Sequence, residues 1–226
     1  MDDSATDYEY VKSHIASSKR RFSFRCDGCG KCCENRDDII LSAWDLYQMT
    51  VFLKRKDTLV FMREFCIVTR GQDSNLPICL LKSVGNEQRC PFLMKNKKCK
   101  VHKVKPSVCA LFPLGRIYNG KTGEVQYMLQ DIDCGFNDEN QSVQEWLNTF
   151  QLEQTTDVYK KWSAMLFELV GTMKKMQDLL TEDTFRMLWN AVFHELYFYV
   201  PERPFEVQLD EHRNHIKEIC EIVNHS

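Results

Sequence analysis

The residues best suited to chemistry are four cysteines that occur within eight positions of the chain: Cys26, Cys29, Cys32 and Cys33. The first three are each separated by two residues, a spacing that lets a tight loop turn successive thiolates toward one centre. Ferredoxin-type iron-sulfur clusters are held in this way. Gly28 and Gly30 fit such a loop, because glycine adopts positive φ without strain. A redox pair or half a zinc knuckle requires only one Cys-x-x-Cys, so the four thiols together predict a metal centre.

Cys33 directly follows Cys32, and the side chains of adjacent residues usually diverge. We therefore expect the two to serve different centres, or one of them to be spare. Four more cysteines stand in turn-rich surroundings and are the candidate partners: Cys90, Cys99, Cys109 and Cys134. Eight thiols suffice for two four-coordinate centres, or for one cluster with a neighbouring zinc ion. All eight are predicted metal ligands.

The identity of the metal is the next question. A Cys-x-x-Cys-x-x-Cys run followed by a remote Cys90-Pro91 is the ferredoxin style of ligation, which favours an iron-sulfur cluster, [4Fe-4S] first. Zinc stays open, because thiolates also bind zinc well. His102, three residues after Cys99, would complete a mixed zinc site. With so many thiols available, we expect His102 to lie at the surface or to support a ligand without binding the metal.

Three cysteines are isolated in apolar or helical stretches, and we expect them to be small buried hydrophobes: Cys66, Cys79 and Cys220. Eleven cysteines are an odd number, and the first thirty residues contain no apolar leader segment. Both facts argue against a disulfide framework and predict reduced thiols in the cytoplasm. His212 and His215 fall on one helical face but have no cysteine nearby in sequence, so neither is assigned to the centre.

Composition narrows the classes of partner. The formal net charge is -2, with basic and acidic residues interspersed, so no nucleic acid is expected. Apolar stretches such as residues 164–170 are short and carry charge, so no membrane association is expected. Hydrophobic residues make up 43% of the chain, an ordinary globular content that predicts an ordered fold.

Local patterns predict the elements that must position the cysteines. Ser42 and Asp57 are candidate N-caps of two short helices, the second ending near Phe65. Short β-prone pieces follow at residues 78–81 and 112–118, and a turn at residues 119–123 predicts a hairpin with residues 125–129. Residues 103–111 suit a short helical turn. These features predict an α+β fold with short antiparallel strands in the cysteine-rich part.

From residue 136 onward the sequence predicts helices. Trp162 begins one apolar stripe at helical spacing, a second helix opens at Thr181, and a third covers residues 211–223. Three parts are therefore expected: a partly ordered arm over 1–21, a metal-binding region over 22–135, and a helical C-terminal region over 136–226 that packs against it. The helical region is expected to provide scaffold or a docking surface for a protein partner, and no metal ligand.

Four segments resemble a known family: Phe24–Cys33, Ile40–Leu46, Cys90–Leu93 and Cys99–Pro113. It is the cysteine-cluster family that takes its name from the CxxCxxCC signature and is described as a zinc- or iron-chelating domain. The similarity covers about residues 22 to 135. Lys105 stands where the family more often has Arg before Pro, and His102 where it often has Tyr. Neither difference removes a thiol, so the resemblance implies metal chelation by the cysteines.

The same family includes enzymes similar to flagellin lysine N-methylase, which combine an iron-sulfur cluster with methyl transfer from S-adenosylmethionine. The resemblance therefore implies a second hypothesis, a cluster-dependent protein lysine methyltransferase that uses S-adenosylmethionine. The chain has no glycine-rich strand-to-helix turn that would cradle a nucleotide, so neither a donor site nor a catalytic residue is assigned. A structural zinc module, with the helical region as the docking surface, is the third hypothesis.

Overall fold

The computed structural model describes residues 14–17, 20–131 and 134–225 of the chain. Helices account for 47% and strands for 19%, which confirms the α+β class. The strands of these residues are β1 (Ile15–Ala16), β2 (Arg21–Arg25), β3 (Cys66–Arg70), β4 (Pro77–Leu81), β5 (Leu114–Tyr118), β6 (Val125–Leu129) and β7 (Phe136–Ser142). The helices are α1 (Ala43–Phe52), α2 (Thr58–Phe65), α3 (Ser107–Leu111), α4 (Val143–Thr149), α5 (Thr156–Leu179), α6 (Glu182–Tyr197) and α7 (Phe205–His225).

The strands form three small antiparallel sheets within the described residues. One has the order β1-β6-β5, and the other two are the pairs β2-β7 and β3-β4. The predicted hairpin is confirmed, with Tyr118 opposite Val125 and Leu114 opposite Leu129. Most of the expected N-terminal arm falls on residues 1–13 and 18–19, which lie outside the described residues. Antiparallel pieces this short need other elements to pack on, so the helices carry most of the core.

Both predicted N-caps in the first half of the chain are confirmed. The Ser42 hydroxyl accepts a hydrogen bond from the Asp45 amide, and the Asp45 carboxylate accepts one from the Ser42 amide, which completes a capping box. The Asp57 carboxylate accepts from the Val60 amide at the start of α2. These bonds satisfy amides that have no partner inside the helix.

Three expected elements differ in the structure. Residues 136–142 form β7 instead of a helix, because β2, which points Phe22 and Phe24 into the core, takes them as its backbone partner. The helical turn expected over 103–111 is split: a 3-10 turn covers His102–Val104 and α3 starts only after Pro106. Proline disfavours helical backbone in the residue before it. Helix α7 begins at Phe205, six residues before the expected start, directly after Pro204.

The larger of two hydrophobic clusters joins the cysteine-rich part to the C-terminal helices. It contains the buried residues Leu46 and Phe61 of α1 and α2, Phe92, and the apolar stripes of α5 and α6 that begin at Trp162 and Phe185. The predicted packing of the helical region against the cysteine-rich part is therefore confirmed. No helix in the described part of the chain has both the length and the apolar composition needed to cross a membrane.

The smaller hydrophobic cluster lies under the β2-β7 pair. Phe22 and Phe24 of β2 pack edge to face against Trp146 of α4. The indole nitrogen of Trp146 donates to the carbonyl of Leu111, at the end of α3, over 2.8 Å. The bond fixes α4 against the short helix that carries Cys109.

Candidate metal centre

The loop from Cys26 to Cys33 leaves the end of β2 and closes in a 3-10 turn over Lys31–Cys33. Gly30 precedes the turn with φ of 80°, a conformation that L side chains rarely adopt. In the turn, the sulfur atoms of Cys32 and Cys33 lie 4.0 Å apart. The divergence expected for adjacent cysteines is therefore not found.

A second loop carries Cys90 and Cys99 and is held against the first. The Cys90 amide donates to the carbonyl of Cys33 over 2.8 Å, and Leu93 forms a backbone bridge with Cys99. A Cβ at Gly30 would lie 3.2 Å from the Leu93 side chain, so the loops touch where glycine stands. These contacts explain why residues far apart in sequence meet here.

The two remaining candidate ligands, Cys109 and Cys134, lie on or next to regular secondary structure. Cys109 lies on α3, whose first residue, Ser107, is hydrogen-bonded to the buried carboxylate of Asp45. Cys134 stands just before β7, and Cys26 just after β2. Because Arg25 pairs with Phe136, both cysteines leave the β2-β7 ladder at the same end.

One cavity of about 930 Å³ brings these segments together, between the larger and smaller hydrophobic clusters. The sequence-predicted ligands that line it are Cys26, Cys29, Cys32, Cys33, Cys90, Cys99, Cys109 and Cys134. All eleven cysteines are in the described residues, and none forms a disulfide. The cavity wall is therefore rich in reduced sulfur, the donor type that soft and borderline metal ions prefer.

The thiols of the cavity shift one another's pKa values. The hydrogen bond with Cys32 lowers the pKa of Cys33, but its bond with Cys90, burial, and the charges of Cys90 and Cys99 outweigh this and raise it to about 12. Burial raises the pKa of Cys109 to about 12, with further increases from Cys33 and Cys32. The hydrogen bond with Cys33 lowers the pKa of Cys90. Several thiolates on this cavity wall would repel one another, so they would require a cation.

Six Lys and Arg side chains line the cavity, and three of them bear on its chemistry: Lys105, Arg36 and Arg116. Lys105 lies over the ring of Phe150, with its ammonium 3.8 Å from the ring centroid. Burial lowers the pKa of Lys105, and the nearby thiols counter this effect. Arg36 is ion-paired with Asp38, over 2.5 Å. Of these three residues the sequence singled out only Lys105, as a position before Pro106 where the family more often has Arg.

Arg116 of β5 is the third basic residue, and it stacks on the ring of Tyr159 at 3.6 Å. Two of its guanidinium nitrogens are buried and have no hydrogen-bond partner among the described residues. Burial lowers the pKa of Arg116. A buried guanidinium with unused donors at a cavity wall favours a negatively charged occupant.

His102, Cys66 and Cys79 lie where the sequence predicted, whereas Cys220 is less buried than expected. His102 is exposed, at the rim of the cavity, with its ring edge-on to Phe150. Cys66 and Cys79 are buried on the paired strands β3 and β4. Cys220 of α7 is half-buried and accepts a hydrogen bond from the Thr172 hydroxyl. None of these three cysteines lines the cavity.

Comparison with known proteins gives one match. Residues 25–135 match the model of the family CxxCxxCC, described as "Putative zinc- or iron-chelating domain". No curated protein and no solved structure matches the chain. The matched segment begins one residue before Cys26 and ends one residue after Cys134, so it spans all eight cysteines of the cavity.

Proposed function

Residues 25–135 form a domain of the CxxCxxCC family of zinc- or iron-chelating domains, and from this premise we propose that the chain holds a [4Fe-4S] cluster in the cysteine-lined cavity. The observation that carries the proposal is the number of thiols around one space of about 930 Å³. Structural zinc sites are closed tetrahedra, whereas this volume is near the upper end of the roughly 300–1,000 Å³ typical of cofactor sites. The volume thus favours a polynuclear cluster.

The charges around the cavity support the same assignment. An iron-sulfur cluster bound by four thiolates carries net negative charge, which costs free energy in a partly buried site. Lys105 supplies positive charge beside the thiols, Arg36 lies near them as half of an ion pair with Asp38, and Arg116 offers unused N–H donors. Hydrogen bonds and positive charge near the sulfurs also tune a cluster's reduction potential.

The ligands are drawn from the cysteines that shift one another's pKa values: Cys32, Cys33, Cys90, Cys99 and Cys109. A [4Fe-4S] cluster needs four thiolates. Cys26 and Cys134 then remain at the end of the β2-β7 ladder, with Cys29 in the adjoining loop, and these three would bind a neighbouring zinc ion. The role that follows is that of a cluster-holding protein able to relay electrons or to sense iron.

Anaerobic purification followed by iron and acid-labile sulfide analysis tests the proposal. The expected protein is brown, absorbs broadly near about 400 nm, and contains iron and sulfide in equal amounts. Mössbauer spectra of the iron-57 protein identify the cluster type. Colourless protein with stoichiometric zinc and no sulfide would overturn the iron-sulfur assignment.

A pair of matched variants tests the site. Cys90→Ser should lose most of the iron, because Cys90 contacts Cys33 and lines the cavity. Cys220→Ser should retain the iron, because Cys220 does not line the cavity and its hydrogen bond is with Thr172. Equal iron content in the two variants would remove Cys90 from the ligand set.

Zinc is the second candidate, and one distance favours it. Two thiolates on a tetrahedral zinc ion, with Zn–S of about 2.3 Å, lie roughly 3.8 Å apart. The sulfurs of Cys32 and Cys33 are separated by 4.0 Å. A zinc site there would be closed by two further cysteines of the cavity, and X-ray absorption at the zinc edge would report sulfur-only coordination.

The enzymatic alternative rests on the space left beside the thiols. Arg116 and Tyr159 line the cavity together with the cysteines, and the unpaired guanidinium donors suit a carboxylate. S-adenosylmethionine carries such a carboxylate. Saturable binding of S-adenosylmethionine to the metal-loaded protein, weakened in Arg116→Gln, would support a methyltransferase; its absence at millimolar ligand would dismiss this alternative.

A further inference from the structure

A second group of metal-binding side chains lies outside the cysteine domain, between α6 and α7. Glu195 stands near the end of α6, and His212 and His215 are one turn apart on α7. The Nδ1 atoms of the two imidazoles lie 2.6 Å and 3.1 Å from the same carboxylate oxygen, Oε2 of Glu195. The three atoms all lie within 4.8 Å of one another. The packing of α6 on α7 therefore brings two nitrogens and one oxygen to a single point.

This donor set is one that divalent transition metals use. Catalytic zinc sites hold the ion with three protein ligands, often two histidines and one glutamate, and leave a position open for water. Zinc ligands lie about 2.0–2.2 Å from the ion, which places them roughly 3.3 Å apart around a tetrahedron. The separations of 2.6 Å and 3.1 Å need only a small opening to admit the ion.

The exposure of the three side chains suits an ion that binds near the surface and enters directly from solvent. The Glu195 and His212 side chains are 19% and 12% exposed, whereas that of His215 is 58% exposed. Two ligands are thus held in place by packing, and the third can rotate to close the site. Solvent reaches the fourth position on the His215 side.

An independent observation beside the cluster also points to a missing partner. Tyr199 is fully buried, and its ring lies edge-on to the His212 imidazole with centroids 4.9 Å apart. Its hydroxyl has no hydrogen-bond partner in the part of the chain that the structure describes. A buried hydroxyl without a partner is costly, and this one lies on a ring that packs directly against a proposed ligand.

We propose that Glu195, His212 and His215 form a second metal site that binds Zn²⁺ through one carboxylate oxygen and two Nδ1 atoms, with water as the fourth ligand. Zinc fits because imidazole and carboxylate together are borderline donors. The proposal does not depend on the metal held by the cysteines. It departs from the expectation that the helical region contributes no metal ligand.

The binding test uses the full chain with its cysteine centre already loaded. Zn²⁺ is titrated calorimetrically into this protein and into three variants, Glu195→Gln, His215→Ala and His194→Ala. His194 is an exposed neighbour of Glu195 that stacks on Phe198, so it is the matched control. One additional zinc ion per chain is expected in the wild type and in His194→Ala. The Glu195 and His215 variants should bind it at least about tenfold more weakly, since even loss of a supporting residue costs that much.

Nitrogen NMR of the histidines separates a metal site from a simple hydrogen-bonded cluster. A carboxylate only accepts hydrogen bonds, so in the metal-free protein each imidazole that bonds Glu195 carries its proton on Nδ1. Zinc at Nδ1 moves that proton to Nε2, and the tautomer change should appear in His212 and His215 but not in His194. Unchanged tautomers at saturating zinc, or equal zinc binding in all four proteins, would overturn the proposal and leave Glu195 as a hydrogen-bonding link between the helices.

Discussion

The carboxylate of Asp45 joins two helices by accepting hydrogen bonds from the backbone amide and the hydroxyl of Ser107, each over 2.7 Å. Its other oxygen accepts from the amide and hydroxyl of Ser42. Asp45 is 1% exposed. One buried carboxylate therefore caps α1 and also fixes the start of α3, two residues before Cys109.

Asp45→Asn is expected to destabilise the protein by about 2–4 kcal/mol and to lower metal content. An amide has one oxygen in place of two, so at least two of the four donors lose their acceptor, and hydrogen bonds to charged groups contribute roughly 1.5–3 kcal/mol each. Urea unfolding and metal analysis measure both effects. Asp57→Asn is the control, because Asp57 accepts a single amide bond and Asn is an equally good N-cap. Similar losses in the two variants would contradict the proposed link to Cys109.

The sequence predicted the elements whose signals are local. Ser42, Asp57 and the turn at residues 119–123 carry their own hydrogen-bonding chemistry, so the helices and the hairpin that they define were foreseen. Strand β7 was missed because its seven residues, Phe136–Ser142, are almost all polar and have no β-branched member. These residues form a strand because they pair with β2, and this pairing depends on tertiary contacts that a local sequence pattern does not show.

The candidate site divides in the same way. Cysteines can be recognised as candidate metal ligands from their type and spacing, so the sequence predicted all eight thiols of the cavity. Arg36 and Arg116 carry no such signal, since a basic residue becomes informative only when it is found near a thiol-lined cavity. Glu195 lies 17 positions before His212, and no helical periodicity connects residues on two different helices. Pro204, directly before Phe205, is a local feature that fits the earlier start of α7.

Gly135→Ala should destabilise the end of the β2-β7 ladder by about 2–3 kcal/mol. Gly135 has φ of 76°, and a Cβ there would lie 2.6 Å from the Arg25 carbonyl oxygen. Both the backbone conformation and the contact are unfavourable for alanine. Because Cys26 and Cys134 flank this point, metal retention should fall too.

Gly171→Ala is the matched control for that change. Gly171 lies inside α5, and a Cβ there would meet nothing within 4 Å. Alanine in a helix interior is favoured over glycine by roughly 0.5–1 kcal/mol, so this variant should gain stability. If thermal unfolding ranked the two variants equally, the steric account of Gly135 would be wrong.

The metal-free and metal-loaded proteins should respond to pH in opposite directions. Burial and neighbouring thiols raise the pKa values of Cys33 and Cys109 from 9.0 to about 12 in the folded chain. Between these values the unfolded state gives up protons that the folded state retains, so the metal-free protein should lose stability as pH rises above about 8.5. The lowered pKa of Cys90 offsets part of this loss.

Metal-bound thiols have already lost their protons, so the loaded protein should instead gain stability from about pH 6 to pH 8.5. Metal binding should also release protons. Calorimetric titrations in two buffers of different ionisation enthalpy count the protons released. Parallel stability curves for the two forms, with no proton release, would show that the cavity thiols are not the ligands.

Metal removal is expected to loosen the cysteine loops first and the C-terminal helices last. Structural metal sites contribute on the order of 10 kcal/mol, comparable with the stability of a whole domain. The loops at residues 26–33 and 90–104 have few buried apolar side chains of their own, whereas α5 and α6 contribute two apolar stripes to the larger hydrophobic cluster. Anaerobic chelation should therefore lower the thermal midpoint by roughly 10–30 °C.

Hydrogen exchange of the chelated protein shows which segments lose structure when the metal is removed. Amides of residues 26–33 and 90–104 should lose protection, and those of α5 should keep most of it, because α5 packs against α6 and α7 in the larger hydrophobic cluster. The hydrogen bond from Trp146 to the Leu111 carbonyl should break when the loops lose structure, since Leu111 lies on α3, which also carries Cys109. Full retention of protection in both loops, with metal analysis confirming removal, would mean that packing alone holds them and that the centre is peripheral to the fold. Uniform loss along the whole chain would contradict the order of unfolding, because the larger cluster would then depend on the metal as much as the loops do.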